Sequence, residues 1–191
     1  MPTERAGRIR RLHRREDRLA TLIGMALLAD CARAGGLPWP GFPALSFPRA
    51  GKPAWPGGPD FNIAHCPGRV ACAVAPAGVS IGVDLERAGS TTAAGLRLVA
   101  TAAELDAFVG AGLTATDLWV TKEAVVKASG GRADRTARVR AAAAGGELDG
   151  AGYLIYRPVI APDVSTAVAV SCEATVVVEE ADALALLEGG P

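Results

Sequence analysis

The 191-residue sequence predicts a fold of mixed helices and strands. In residues 14–34 and 116–129, apolar side chains recur at spacings of three and four, and a pair of glycines follows each stretch, as is typical of amphipathic helices and their ends. Short runs of β-branched and apolar residues lie between and after these stretches, separated by turns that contain Gly or Pro, which is typical of strands. The length suits one good-sized domain or two small fused halves.

The remaining elements follow from the same local signals. Residues 35–59 are rich in Pro and Gly and are expected to form a loop. Strands are predicted at residues 61–64, 70–75, 79–85, 153–160, 166–172 and 175–178, with a turn at 65–68, and further helices at 96–109 and 180–187. Thr101 and Glu104 have the spacing of a capping box. Thr116 or Asp117 is expected to cap the second long helix.

The overall charge argues against a nucleic-acid-binding protein. The net charge is zero and the isoelectric point is about 6.7, so no broad basic field is expected. Residues 1–18 are an exception, because seven arginines there outnumber three acidic residues and give a local charge of +4. This segment is either the solvated face of a helix or a local site for an anion such as phosphate.

Cysteine spacing and hydropathy predict a cytoplasmic protein. The four cysteines, Cys31, Cys66, Cys72 and Cys172, show no C-x-x-C spacing and do not indicate an oxidising compartment. The apolar run at residues 19–29 is too short to span a bilayer, and acidic residues interrupt the basic run before it, so we expect neither a membrane span nor a signal peptide.

Two carboxylates lie close together at the end of a predicted strand. Asp84 and Glu86 are two positions apart, so both are expected to project from one face of the strand. Adjacent carboxylates repel each other unless a cation or a proton lies between them. Taken alone, the pair is typical of a strand that runs into a solvated turn.

Lysine is rare in this chain, with Lys52, Lys122 and Lys127 set against 17 arginines. Lys122 and Lys127 flank Glu123 on the second long helix, and Glu123 and Lys127 are four positions apart, hence on one helix face. Such a pair is commonly a surface ion pair that contributes about 0.2–0.5 kcal/mol.

Four motifs occur in the order in which one protein family has them. They are GKP at residues 51–53, FNIAHC at 61–66, GVDLE at 82–86 and WVTKEAVVK at 119–127. With these motifs, over about residues 5–172, the chain resembles the 4′-phosphopantetheinyl transferases of the surfactin-synthetase-activating type. All three lysines lie within the motifs, whereas Ala64 and Cys66 stand where the family usually has serine.

The resemblance implies an Mg²⁺-dependent transfer of the 4′-phosphopantetheine arm of coenzyme A to a serine of an apo acyl or peptidyl carrier protein, with release of adenosine 3′,5′-bisphosphate. It assigns the metal to Asp84, Glu86 and Glu123, and Mg²⁺ does prefer carboxylate, phosphate and water oxygens. Glu123 is also the first candidate for the base that accepts the serine proton, with Glu104 or a water as alternatives. Lys127 would place its ammonium on the phosphates.

The resemblance also implies where coenzyme A binds. Arg5 and Arg8 correspond to basic residues that contact its 3′-phosphate, and Lys52 and His65 would hold the remaining phosphates. The full set of implied contacts is Arg5, Arg8, Thr21, Gly51, Lys52, His65, Cys66 and Lys127.

The fold implied by the resemblance is α+β. It consists of two halves related by a pseudo-twofold axis, here roughly residues 1–82 and 83–191, each with a long helix packed on a small antiparallel sheet. The strand that the family places before the basic segment has no counterpart, so either the sequence begins inside the first half or that half has one strand fewer. A monomer is expected, without nucleic-acid or membrane partners, acting in polyketide or nonribosomal peptide biosynthesis.

Two other functions remain open at this stage. A non-catalytic module that binds coenzyme A or a carrier protein would account for Ala64 and Cys66. An unrelated magnesium phosphohydrolase could use the same three carboxylates, but it would not explain where the lysines lie.

Overall fold

The structure, a computed structural model, describes residues 15–48 and 52–188. Its α-helices are α1 Arg15–Ala34, α2 Ala93–Leu96, α3 Ala102–Gly110, α4 Ala115–Ala128 and α5 Ala183–Glu188. Its strands are β1 Phe61–Cys66, β2 Arg69–Val74, β3 Ile81–Arg87, β4 Arg140–Ala142, β5 Gly145–Leu148, β6 Ala151–Tyr156 and β7 Val164–Val170. Short 3-10 helices span Phe42–Ala44 and Ala133–Arg138. The mixed α+β character predicted from the sequence is confirmed.

The strands form two antiparallel sheets. Strands β1 and β2 make a two-stranded sheet, and the other five strands follow the order β3-β7-β6-β5-β4. Strand β3 is an edge strand that pairs with β7 along its whole length, from Ile81 opposite Val170 to Arg87 opposite Val164. Among the described residues β3 has backbone pairing on one side only, so the groups along its other side need different partners.

A long helix packs on each sheet. Helix α1 lies on β1 and β2, where Leu28 and Ala32 join Phe61 in a buried cluster. Helix α4 lies on the larger sheet, where Val120, Ala124 and Val125 pack with residues of β5, β6 and β7. Within the described ranges, no helix has the length and apolar composition needed to cross a membrane.

Side chains from β1 and the segment before it satisfy the free edge of β3. Asn62 Oδ1 accepts a hydrogen bond from the backbone N–H of Val83 at 2.9 Å, and Asp60 Oδ2 accepts one from Ile81 at 2.9 Å. The carbonyl of Ile81 accepts a hydrogen bond from Lys52 Nζ at 2.8 Å. The two sheets are therefore joined by side chains that replace a backbone ladder at this edge.

Gly82 allows β3 to approach α4 very closely. A Cβ atom at this position would lie 2.1 Å from the carbonyl oxygen of Ala124 and 2.4 Å from the backbone nitrogen of Ala128. Both atoms belong to the helix backbone and cannot rotate away, so only glycine fits here.

Several sequence-based element predictions are wrong in detail. Thr114, rather than Thr116 or Asp117, caps α4, and it forms a capping box with Asp117. His65 and Cys66 belong to β1, so the turn begins only after them.

Elsewhere, residues 96–109 do not form one helix, because α2 ends before the Thr101 cap that starts α3. Residues 175–178 form no strand, since their side chains are largely exposed and no strand pairs with them. Strands β4 and β5 were not predicted, because they are short and consist largely of Ala and Gly.

Replacing Gly82 by Ala should destabilise the fold strongly. We expect the free energy of unfolding to fall by roughly 3 kcal/mol, the upper end of the usual cost of overpacking, because the new Cβ meets helix backbone. Gly152→Ala in β6 is the matched control, since a Cβ there meets no atom within 4 Å and should change stability by less than about 0.5 kcal/mol. Urea denaturation of both variants provides the measurement, and equal stabilities would contradict the close approach at Gly82.

Candidate active site

Strand β3 and helix α4 bring together four of the predicted site residues: Asp84, Glu86, Glu123 and Lys127. Gly82, Asp84 and Glu86 occupy every second position of β3, so all three lie on the face that α4 covers. Within residues 120–128 of α4, Glu123 and Lys127 alone are not fully buried. The helix therefore presents these two side chains to the carboxylates of β3.

Asp84 is a buried carboxylate with one partner. Its Oδ1 lies 2.5 Å from Lys127 Nζ, whereas its Oδ2 is buried and has no hydrogen-bond partner in the described part of the chain. Burial raises the pKa of Asp84 to about 6; Lys127 opposes this shift, and Glu123 and Glu86 add to it. The second oxygen could thus accept a further cation or a proton.

The carboxylates of Glu86 and Glu123 lie close enough to Asp84 for their charges to affect its pKa. Burial raises the pKa of Glu86, with Lys127 and His65 opposing the shift and Glu123 adding to it. Glu123 is held by a hydrogen bond of 2.6 Å from Thr136 Oγ1 to its Oε1. Three carboxylates and one ammonium leave an excess of negative charge, so the site favours a cationic ligand.

The donor chemistry of this cluster fits Mg²⁺. The ion prefers carboxylate oxygens, and Asp84 Oδ2 is such an oxygen, buried and with no hydrogen-bond partner among residues 15–48 and 52–188. In this structure the cation that contacts Asp84 is the ammonium of Lys127. In the side-chain positions of the described residues, no group of three or more His, Cys, Asp or Glu residues has the geometry to hold a metal ion.

Glu104, the alternative base, is already fully engaged. Its Oε2 accepts the Thr101 N–H at 2.9 Å, which confirms the predicted capping box. Its Oε1 accepts hydrogen bonds from Lys122 Nζ at 2.7 Å and from the Ala141 N–H at 3.0 Å. Burial alone would raise the pKa of Glu104, but these hydrogen bonds outweigh it and lower the pKa. Glu104 therefore joins α3, α4 and β4 through its carboxylate.

The side chain of Lys52 lies beside Ile81, the first residue of β3. Its Nζ lies 2.5 Å from Asp60 Oδ2 and donates to the carbonyl of Ile81. Burial lowers the pKa of Lys52, and Asp60 opposes the shift. This lysine thus has a structural role that the GKP motif alone did not indicate. Arg5, Arg8 and Gly51 lie outside the described residues.

The remaining predicted contacts lie on α1 and at the end of β1. The Thr21 hydroxyl donates to the carbonyl of Asp17 at 2.8 Å, so its hydrogen is used within α1. His65 is exposed and close enough to Glu86 to affect its pKa. Cys66 is buried in an apolar cluster, and burial, aided by the charge of Glu86, raises the pKa of its thiol. Any ligand contact at Cys66 would therefore use the backbone.

Sequence patterns alone did not single out Asp60, Asn62 or Thr136. Asn62 lies inside the FNIAHC motif, which was the available signal, but its bond to Val83 is a long-range contact. Thr136 lies in the short 3-10 helix Ala133–Arg138 that follows α4, and nothing in the local pattern indicates that it reaches Glu123.

Comparison with models of known protein families gives no match, and no curated protein matches the chain.

The raised pKa of Asp84 predicts a characteristic pH dependence in metal-free buffer. A folded-state pKa of about 6, against an ordinary value of 3.8, means that protonated Asp84 stabilises the folded state below about pH 4. This contribution is lost as the pH rises through 6. Asp84→Asn removes it, so the stability of the variant relative to wild type should rise by roughly 3 kcal/mol between pH 4 and pH 7.

Urea denaturation in the presence of a chelator measures this difference. The matched control is Asp106→Asn, because Asp106 is exposed on α3. A difference between Asp84→Asn and wild type that stays constant with pH would contradict the assignment.

Proposed function

We propose that this protein transfers the 4′-phosphopantetheine arm of coenzyme A to a serine of an apo acyl or peptidyl carrier protein, in an Mg²⁺-dependent reaction that releases adenosine 3′,5′-bisphosphate. The observation that carries the proposal is the cluster of Asp84, Glu86 and Glu123 around Lys127. In this cluster the GVDLE motif of β3 and the WVTKEAVVK motif of α4, which are distant in sequence, form one negatively charged site.

The residues have distinct roles in this proposal. Asp84, Glu86 and Glu123 would hold Mg²⁺, which when bound would offset the charge of the pyrophosphate and of the leaving bisphosphate. Glu123 also accepts the serine proton, directly or through a water, and the hydrogen bond from Thr136 orients it for this step. Transfer then depends mainly on positioning and charge neutralisation.

Lys127 can hold Asp84 and contact a phosphate at once. An ammonium has three N–H donors, and among the described residues two are directed at Asp84 Oδ1 and at the Val83 carbonyl, the latter at 3.3 Å. The third is free for an anionic oxygen. Lys52 has the same arrangement, with Asp60 and the Ile81 carbonyl as its partners.

We further propose that the two helix-on-sheet units are halves related by a pseudo-twofold axis, roughly residues 1–82 and 83–191. The supporting observation is that α1 packs on β1 and β2, while α4 packs on β3 and β7. We also propose a cytoplasmic monomer, with a carrier protein of polyketide or nonribosomal peptide biosynthesis as its partner.

A second candidate is a non-catalytic module that binds coenzyme A or a carrier protein. The observation that favours it is the ion pair between Lys127 and Asp84, because an ammonium already neutralises the buried carboxylate without a metal. In such a module the carboxylates would be structural, and coenzyme A would bind without turnover.

Incubation with coenzyme A, Mg²⁺ and an apo carrier protein separates these functions. We expect the carrier protein to gain one phosphopantetheine group, detected by mass spectrometry, and the gain to disappear in the presence of EDTA. Coenzyme A binding without transfer to any of several carriers would instead identify the binding module. Release of bisphosphate without a carrier would identify a phosphohydrolase.

Glu123→Gln tests the central residue of the proposal. The amide can still accept the hydrogen bond from Thr136, but it cannot take the serine proton and is a weaker metal ligand, so transfer should fall at least 100-fold. Stability should change by less than about 1 kcal/mol, which urea denaturation can check. The control is Glu173→Gln at an exposed position, where activity should be unchanged. Near-normal transfer by the Glu123 variant would remove Glu123 from both roles.

A further inference from the structure

The segment between α4 and β4 contains the residue that holds Glu123. In its 3-10 helix, Ala133–Arg138, the side chain of Thr136 is buried and donates to Glu123 Oε1 at 2.6 Å. Val139, the residue that ends this helix, is also buried, and its carbonyl accepts a hydrogen bond from Lys122 Nζ. The inner side of the segment is therefore joined to two consecutive residues of α4.

One carboxylate holds the outer side of the same 3-10 helix. Arg135 and Arg138 are three positions apart, and a 3-10 helix has three residues per turn, so both lie on one side of it. Arg135 forms an ion pair with Asp149 Oδ2, and Arg138 forms one with Asp149 Oδ1. The side chains of Arg135 and Asp149 are only 32% and 34% exposed, so solvent screens this pair less than a fully exposed one.

The turn between β5 and β6 fixes the position of Asp149. Leu148 pairs with Ala151, which leaves Asp149 and Gly150 as a two-residue turn with φ angles of +53° and +84°. Positive φ at both positions is typical of a type I′ hairpin turn, for which Asp-Gly is a preferred sequence. The carboxylate that holds the two arginines is thus attached to the five-stranded sheet by a tight turn.

We propose that Asp149 is a positioning residue for Glu123. It acts through its two arginine partners, which hold the 3-10 helix where Thr136 reaches the Glu123 carboxylate. The importance of this position for catalysis rests on the proposed function, whereas the contacts themselves do not. A hydrogen bond weakens steeply with distance and angle, so a small outward movement of the helix would release Glu123 from its donor.

A second ion pair on the same hairpin provides a matched control. Arg140 and Glu147 are paired across β4 and β5, and Arg140 Nη1 lies 3.9 Å from Glu147 Oε1. This pair joins two strands of the sheet and not the sheet to the 3-10 helix. Removing the charge of Glu147 therefore tests whether the loss of any carboxylate from this hairpin disturbs Glu123.

Transfer kinetics test the positioning role. Asp149→Asn removes the charge but keeps the turn, because Asn also tolerates positive φ. We expect kcat to fall roughly tenfold with KM for coenzyme A within about twofold of wild type, since Glu123 would be misplaced and coenzyme A binding unaffected. Glu147→Gln should keep the wild-type kcat. A wild-type kcat in Asp149→Asn would overturn the proposal.

A double variant separates positioning from a general loss of stability. Thr136→Val removes the hydroxyl that holds Glu123 and should lower kcat, whereas Thr136→Ser keeps a hydroxyl and should retain activity. If Asp149 acts through Thr136, adding Asp149→Asn to Thr136→Val should lower kcat by less than about a further twofold. Fully additive losses would show that Asp149 acts by another route and would overturn the proposal.

Hydrogen exchange tests the link from Asp149 to the helix without the transfer reaction. The Val139 N–H donates to the Thr136 carbonyl, so exchange in residues 133–139 reports opening of this segment. We expect exchange there to be roughly tenfold faster in Asp149→Asn and unchanged in Glu147→Gln.

The two kinds of failure are distinguishable. Unchanged exchange in Asp149→Asn would overturn the positioning role even in an active protein. A wild-type protein that transfers nothing, with faster exchange in Asp149→Asn, would refute the proposed function and still support the role of Asp149 in holding the helix that carries Thr136.

Discussion

The free edge of β3 is the feature on which the rest of the structure depends. Strand β3 pairs with β7 on one side, so the backbone groups of Ile81 and Val83 on the other side would be buried without partners unless side chains reached them. Asp60 and Asn62 supply acceptors for the two N–H groups, and two lysines supply donors for the two carbonyls. These contacts join the small sheet to the large one and fix α4 against the same strand.

The candidate site follows from this edge and from the glycine beside it. Because Gly82 has no Cβ, the backbone of α4 lies directly over β3, and the next residue on that face, Asp84, lies under Lys127. The close approach also removes water from Asp84, which is why burial raises its pKa to about 6. The packing that stabilises the sheet therefore creates a carboxylate that is unstable as an isolated anion and favours a cation.

Local patterns predicted α1 and α4 almost to their ends, because apolar spacing and flanking glycines depend only on nearby residues. They also predicted the shared face of Asp84 and Glu86, since alternation along a strand needs no tertiary information. Sequence patterns did not predict β4 and β5, whose Ala and Gly residues carry no strand signal; β5 is held by pairing with β6, and β4 by pairing with β5. The partners of Lys52, and the contacts of Glu104 with Lys122 and Ala141, were likewise out of reach, because each is set by tertiary packing.

The three lysines share one geometry, and this bears on why lysine occurs at all in a chain with 17 arginines. Each ammonium contacts one carboxylate and one backbone carbonyl: Lys52 with Asp60 and Ile81, Lys122 with Glu104 and Val139, and Lys127 with Asp84 and Val83. A compact ammonium can place its donors in two such directions within a small space, whereas a planar guanidinium projects a fixed fork and needs more room.

Exposure then separates the lysines by role. The side chain of Lys122 is 1% exposed, so its third donor cannot reach a ligand, and its role is to join Glu104 to the backbone. The side chains of Lys52 and Lys127 are 14% and 27% exposed, and each keeps a donor that a phosphate could reach. Two lysines therefore hold the edge of β3, and in the proposed function the same two side chains would also bind an anion.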